Sequence, residues 1–297
     1  MSSFKSGFVT VVGSPNAGKS TLINTMVGQK ISIVSERAQT TRNRIMGVLT
    51  RKDYQIVFID TPGITTPKNK LGDYMLKVAY DSLNEVEAVL FLVDSTIGIG
   101  EKDLAIIKKL KSVKAPVIAV INKTDASSVD AVDTIIEALK GMDCFDEILK
   151  VSAKYGDRVP KLEKHIASYL PEGPMYYPED MVTDMPERVI CGELIREKAL
   201  KLLRQEIPHG IGVGIDKMEL RDDQIYDIWA TIYCERDGHK GIIIGKQGSM
   251  LKQIGTDARR EIERLLGPKV NLKVCGPVKA AWSNHISVMR ELGYERT

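Results

Sequence analysis

An octet at residues 13–20, Gly-Ser-Pro-Asn-Ala-Gly-Lys-Ser, constrains this chain more than any other stretch. It follows an apolar β-branched run, GFVTVVG, and opens a segment with helical spacing, so it must turn a strand tightly into a helix. Glycines at positions 13 and 18 let backbone N–H groups wrap an anion at a helix N-terminus, where the peptide dipoles favour negative charge. Lys19 can reach the outer phosphates of a nucleoside triphosphate, and the Ser20 hydroxyl can ligate Mg²⁺. Gly13, Ser14, Pro15, Asn16, Ala17, Gly18, Lys19, Ser20 and Thr21 are therefore candidate nucleotide-binding residues.

From residue 7 to about 170, apolar runs alternate with helical patterns: GFVTVVG, QIVFID, AVLFLVD, PVIAVIN and EILKVSA, with helices expected from 19, near 70 to 84, from 101 and from 127. Unalternated apolar strands separated by helices imply a mainly parallel sheet covered on both faces, a doubly wound α/β domain of P-loop NTPase type. The chain has 297 residues and is 43% apolar, enough for two cores. Residues 171–187 hold four prolines and a cluster of acids with no period, which reads as an inter-domain connection. The expected division is a nucleotide-binding domain at 1–172, a linker at 173–187 and an α+β domain at 188–297.

Asp60-Thr61-Pro62-Gly63 ends the run QIVFI, so Asp60 is placed beside the phosphate loop to serve Mg²⁺, and the Gly63 N–H can sense a γ-phosphate. Asn122-Lys123-Thr124-Asp125 ends PVIAVI. A carboxylate at Asp125 accepts from both N1–H and N2–H of guanine, a pair adenine lacks, and Lys123 would pack its stem on the base. Ser152, Ala153 and Lys154 form a loop suited to donate a backbone N–H to guanine O6. The ligands implied are GTP or GDP with Mg²⁺. Residues 38–44, AQTTRNR, are polar and aperiodic, as expected of a switch segment; Thr41 is the expected Mg²⁺ and γ-phosphate ligand, with Thr40 the alternative. The catalytic set is Lys19, Thr41, Asp60 and Gly63, with Mg²⁺ on Ser20, Thr41 and Asp60. Ile64 stands where many switch GTPases carry a water-orienting glutamine, so slow intrinsic hydrolysis is expected. The GxPNxGKS pattern resembles GTPases in which the asparagine, here Asn16, helps hold a K⁺ that stands in for an arginine finger.

Past residue 187 the expected order is helix (188–206), strands (210–219, 225–236), two helices around Gly245, strand (270–276) and helix (280–293). With Gly-Lys-Gln-Gly at 245–248 between two helices, this order resembles a type II KH domain, whose GxxG turn clamps single-stranded nucleic acid. Gly241, Ile244, Gly245, Lys246, Gln247, Gly248 and Lys252 are the candidate RNA-binding residues. From Lys240 to Arg290 there are ten Lys/Arg against three Asp/Glu, a local basic stretch in a chain whose net charge is only +3. Trp229, Trp282 and Tyr233 are read as core, as are Met250 and Leu251 beside Ile254; Arg259, Arg260, Glu261, Glu263 and Arg264 read equally well as a solvated helix face. His165, His209, His239 and His285 lack metal-ligand spacing. Cys144, Cys191, Cys234 and Cys275 lie far apart and are read as reduced thiols of an intracellular protein. No signal-peptide layout is present at the N-terminus, and no apolar run reaches the ~18 residues that cross a bilayer.

GSPNAGKSTL, QTTRNR, DTPG, NKTD and VSA, followed by HKGIIIGKQG, together resemble the Era family of bacterial GTPases along essentially the whole chain, aliphatic Ile64 included. The resemblance implies a GTP-controlled assembly factor of the 30S subunit that binds the single-stranded 3′ end of 16S rRNA. It also implies a cytoplasmic protein with peripheral contact to the inner face of the cytoplasmic membrane. A monomer is expected. Two other readings remain: a regulatory GTPase whose C-terminal unit docks a protein, and an RNA-binding assembly protein whose nucleotide site is only structural. The basic stretch and GxxG disfavour the first, and the intact set Lys19, Ser20, Asp60 and Asp125 disfavours the second.

Overall fold

A computed structural model describes residues 3–35, 37, 40–64, 66–67, 69–204, 207–275 and 282–294. The chain divides into two compact units, one of Met1–Ser32, Thr41–Thr66 and Met75–Asp184, the other of Ile33–Thr40, Pro67–Tyr74 and Met185–Thr297. The elements run β1 (Lys5–Gly13), α1 (Lys19–Val27), β2 (Ile45–Thr50), β3 (Tyr54–Asp60), α2 (Lys70–Asp81), β4 (Ala88–Asp94), α3 (Glu101–Leu110), β5 (Val117–Asn122), α4 (Val129–Lys140), β6 (Glu147–Lys150) and α5 (Val159–Tyr169).

The first unit is a six-stranded sheet in the order β2-β3-β1-β4-β5-β6, parallel except for β2, which pairs antiparallel with β3. Its strands read as unbroken apolar runs because both faces are covered. In β4, Ala88, Leu90 and Leu92 join Leu22 and Ile23 of α1 and Ile166 of α5 on one face. Val89, Phe91 and Val93 join Ile106 of α3 and Leu139 of α4 on the other. Strand β2 is absent from the sequence reading: the charged residues Arg51-Lys52-Asp53 turn it into β3 without the Gly or Pro that usually marks a turn. Part of the connection at 173–187 is tied to this unit, with Gln55 accepting from the N–H groups of Tyr176 and Tyr177 (2.8 and 3.0 Å) and Val48 N–H donating to Val182 O (2.8 Å).

The second unit continues with α6 (Glu187–Leu202), β7 (Ile211–Leu220), β8 (Ile225–Cys234), α7 (Asp237–Ile244), α8 (Ser249–Leu266), β9 (Lys269–Cys275) and α9 (Ile286–Glu291). Strand β8 pairs antiparallel with β7 and parallel with β9. Ile228, Ala230 and Ile232 of β8 pack with Leu194 and Ile195 of α6 and with Ile254 and Ala258 of α8. Met250 and Leu251 pack on this core half-buried. The final helix is shorter than the expected 280–293: a 3-10 turn at Trp282–Asn284 precedes a six-residue helix, and residues 276–281 lie outside the described set.

Candidate functional site

The loop after β1 depends on backbone that side chains resist. Gly13 has φ +155° and a Cβ there would lie 2.6 Å from Leu92 O; Gly18 has φ +98° and its Cβ would strike the Asn122 amide. Asn16, at φ 67°, is exposed at the tip, while Ala17 is buried. Ser14 and Pro15 are half-buried, and Thr21 follows in the first turn of α1. Lys19 folds back over the loop, its Nζ donating to Gly13 O at 3.0 Å and Ser14 O at 3.1 Å. Burial holds its pKa down to about 8, against the opposing pull of Asp60 and Asp103. A polyphosphate would add negative charge beside this buried ammonium, whose hydrogen bonds among the described residues go only to the carbonyls of Gly13 and Ser14.

Three oxygen-bearing side chains meet beside it. Ser20 Oγ donates to Asp60 Oδ2 at 2.7 Å, the Ser20 and Thr41 hydroxyls lie 3.0 Å apart, and Thr41 Oγ1 lies 3.5 Å from Asp60 Oδ2. Asp60 is fully buried, and its Oδ1 has no hydrogen-bond partner. Burial pushes its pKa up, opposed chiefly by the Ser20 hydrogen bond and then by Lys19. A lone buried carboxylate oxygen beside two hydroxyls is a donor set of hard oxygens, which suits Mg²⁺. The Thr40 hydroxyl instead donates to Arg37 O at 2.7 Å. Ala38 and Gln39 of the switch stretch lie outside the described residues. Gly63 passes so close to the loop that a Cβ would sit 3.0 Å from Pro15 Cα. Ile64 is buried among apolar side chains of α2 and β4, so it presents nothing polar to a water molecule.

The elements expected to recognise the base are tied to the phosphate loop. Asn122 Nδ2 donates to Ala17 O at 2.9 Å, and Asn122 Oδ1 accepts from Ala153 N–H at 3.0 Å. Asp125 sits exposed on a 3-10 turn, its Oδ1 accepting from Ser152 Oγ at 2.5 Å. Lys123, at φ 64°, reaches Asp94 Oδ2 at 2.5 Å, and Asp94 is fixed in turn by the Thr96 N–H and hydroxyl at 2.9 and 2.6 Å. Lys154 is exposed, with its Nζ 5.0 Å from the Tyr155 ring.

Two residues of this site escaped the sequence reading. Asp94, at the end of AVLFLVD, orients Lys123. Asp103, in the first turn of α3, accepts from Ser14 Oγ at 2.6 Å while its other oxygen accepts from Gly100 N–H at 3.0 Å. The Gly100-x-x-Asp103 spacing is a helix-start signal that could have revealed the second contact, though not the first.

In the second unit, Gly245 has φ 73° and a Cβ would lie 2.7 Å from Met250 N, while Gly248, at φ 78°, starts α8. Lys246, Gln247, Lys252 and Gly241 are exposed and Ile244 is half-buried. The turn thus presents backbone and a lysine to solvent at the start of an 18-residue helix with no acid in its first turn. Trp282 and Tyr233 are buried as expected; Trp229 is not, being 45% exposed on the outer face of β8. The expectation of core fails because Ile228 and Ala230 take the inward positions of the pleat. No group of three metal-ligating side chains occurs among the described residues, and the His209 side chain is outside them.

Phosphate loop, hard-oxygen cluster and guanine loops on one unit, with a GxxG turn on the other, define a P-loop GTPase joined to a KH domain. A family described as "50S ribosome-binding GTPase" matches residues 8–123 and the KH domain family matches 206–283. The chain is 50% identical to GTPase Era of Alkaliphilus metalliredigens, over 99% of this chain and 100% of that one. It is 52% identical to GTPase Era of Alkaliphilus oremlandii, over 98% and 99%. Two solved structures superpose with a TM-score of 0.95 at 40% identity, covering 99% of this chain and all of theirs: an Aquifex aeolicus Era variant bound to GDP·AlF₄⁻, and Era with MgGDPNP and nucleotides 1506–1542 of 16S ribosomal RNA. The chain belongs to the Era family of GTPases.

Proposed function

We propose that this GTPase is a nucleotide-gated switch that binds the single-stranded 3′ end of 16S rRNA and acts in 30S assembly and rRNA maturation. Residues 1–172 bind GTP, 188–297 bind RNA, and 173–187 connect them. The observation that carries the reading is the exposed Gly245–Gly248 turn, in a chain 40% identical over nearly its whole length to Era solved with MgGDPNP and that RNA segment.

In this reading Gly13 to Thr21 cradle the phosphates. Lys19 carries charge to the β- and γ-phosphates, and the Gly63 N–H marks the γ-phosphate. Ser20, Thr41 and Asp60 hold Mg²⁺, which when bound neutralises charge developing on the transferred phosphoryl group. Asp125 accepts from guanine N1–H and N2–H, Lys123 is held by Asp94 along the base, and Asn122 locks Ser152, Ala153 and Lys154 to the phosphate loop. No side chain forms a covalent intermediate; water attacks the γ-phosphate directly. With Ile64 buried, intrinsic hydrolysis is slow. Asn16 would help to hold a K⁺, which when bound would supply positive charge at the phosphates; that role predicts faster hydrolysis in KCl than in NaCl, and equal rates in wild type would sink it. Gly241, Ile244, Gly245, Lys246, Gln247, Gly248 and Lys252 clamp the RNA backbone.

The deciding experiment is fluorescence anisotropy with an RNA of the 16S 3′ end, in GDP and in GDPNP, beside a Gly245→Asp/Gly248→Asp variant. Tighter binding with GDPNP, lost in the variant, is expected. Nucleotide-independent or absent binding would transfer the C-terminal unit to a protein-docking role and leave the GTPase assignment standing. The protein is read as a cytoplasmic monomer in peripheral contact with the membrane's inner face. No helix among the described residues is long and apolar enough to cross a bilayer, and co-flotation with anionic vesicles tests the peripheral contact.

A further inference from the structure

The outer face of the second unit's sheet is only half covered. At one end it is closed: a Cβ on Gly212 would lie 2.8 Å from Leu292 and 3.1 Å from Trp282, and Trp282 is fully buried with its Nε1 donating to Gly210 O at 2.8 Å. At the other end Lys217 of β7 pairs with Trp229 of β8, which pairs with Lys273 of β9, so the three side chains form one row across the sheet. A register shift between Ile215 and Lys217 brings Lys217 onto this face. Trp229 is 45% exposed, and both lysine Nζ atoms stand 5.3 Å from its ring.

The acids of the same face are already engaged. Glu219 pairs with Lys217 at 2.9 Å, Asp227 accepts from Asn271 at 2.8 Å and lies 3.8 Å from Arg221, and Asp216 accepts from Thr231 at 2.8 Å. Lys273 has no ion pair among the described residues. The indole is held between two ammonium groups that stand over its ring, Lys217 shared with Glu219 and Lys273 without a carboxylate among the described residues. A base that takes the place of the Lys273 head group on the ring leaves that ammonium free to meet the adjoining phosphate. The row is the complement of an unstacked base flanked by its phosphates. A protein hot spot would instead surround the indole with apolar groups that exclude water. A second copy of this chain would bring Lys217 and Lys273 against their own equivalents.

We propose that the open half of this sheet face is a stacking platform for unpaired RNA, with one base on Trp229 and the adjacent phosphates met by Lys217 and Lys273. It rests on the RNA-binding reading above but shares no residue with the Gly245–Gly248 turn, so the two can fail separately.

The test uses the full chain in GDPNP and Mg²⁺ with a labelled single-stranded 16S 3′-end RNA. Trp229→Leu should weaken binding roughly five- to 100-fold, and Trp229→Phe should retain most of the affinity. Lys217→Gln/Lys273→Gln should flatten the dependence of log Kd on log salt by about 1.4, the value for two phosphate contacts on a single strand. Tryptophan fluorescence should be quenched by unlabelled RNA in wild type, but not in Trp229→Leu. GTP hydrolysis without RNA should be unchanged in all the Trp229 and lysine variants, and their circular dichroism and thermal unfolding should match wild type, which shows that both units fold. Wild-type affinity and salt slope in Trp229→Leu would overturn the platform while leaving the GxxG groove intact. Unchanged RNA binding with a self-association lost in Trp229→Leu would overturn it in favour of a dimer contact.

Discussion

The nucleotide site and the GxxG turn are built in opposite ways for the phosphates that the proposed function assigns to them. Around Lys19 the work is done by side chains already hydrogen-bonded before any ligand arrives, Ser20 to Asp60, Asn122 to the backbone of Ala17 and Ala153, and Ser152 to Asp125, with Lys19, Asp60, Asn122 and Ser152 buried. At Gly245–Gly248 it falls to exposed backbone, shaped by two positive-φ glycines. Pre-organised side chains give chemical selectivity, because a wrong ligand leaves buried polar groups unpaired. A backbone turn gives steric access to any nucleotide chain and little discrimination of its own. Substitutions in the first should therefore change which ligand binds, and those in the second only how tightly.

Asp125→Asn is the sharpest way to break that contrast. The amide keeps an acceptor for the Ser152 hydroxyl but presents an N–H₂ donor toward the two donors of guanine. Losing two charge-assisted bonds at about 1.5–3 kcal/mol each lowers GTP affinity by roughly 10²- to 10⁴-fold. Xanthosine triphosphate, which carries an acceptor oxygen in place of the guanine amino group, should bind the variant better than GTP does. Isothermal titration with both nucleotides checks it. Equal losses for the two would mean that the position supports the loop and does not read the base.

Gly245→Ala should act more weakly and without changing selectivity. Its Cβ would meet the Met250 backbone N at 2.7 Å at φ +73°, whereas a Cβ on Gly248 meets nothing within 4 Å. Backbone strain of about 1–3 kcal/mol is expected at the first position, and about 1–2 kcal/mol at the second. RNA affinity should fall about tenfold for Gly245→Ala and less for Gly248→Ala, with GTP hydrolysis untouched in both. The reverse ranking would show that the turn is remodelled when RNA binds.

The same contrast governs how much could be read from sequence. Phosphate-loop, DTPG and NKTD residues carry fixed chemistry at fixed spacing, and GxxG is a backbone requirement written as glycine. Asp94 and Asp103 have no such signature, since their partners Lys123 and Ser14 lie 29 and 89 residues away and only the fold brings them together. Strand β2 was hidden because its turn into β3 carries no Gly or Pro to punctuate it. Trp229 was legible but misread. Residues 226, 228, 230, 232 and 234 are Tyr, Ile, Ala, Ile and Cys, a period-two apolar row that leaves Trp229 on the opposite face.

The smallest effect belongs to the contact that spacing could not reveal. Ser14 belongs to the phosphate loop, and its hydroxyl donates at 2.6 Å to Asp103, which is itself buried and caps α3 through Gly100 N–H. The bond ties the mouth of the loop to a helix outside it, so it should restrain the loop without touching the nucleotide. Ser14→Ala removes that restraint and leaves Asp103 its second partner, so GTP affinity should fall by about 1 kcal/mol, or roughly fivefold. Asp103→Ala removes the same bond together with the helix cap, and should lower thermal stability as well. If the pair is coupled, the double variant binds GTP about as well as Asp103→Ala alone, since the second substitution has nothing left to break. Strictly additive losses would mean that each side chain acts on the nucleotide by its own route, and the loop would then owe its shape to Gly13, Gly18 and Lys19 alone.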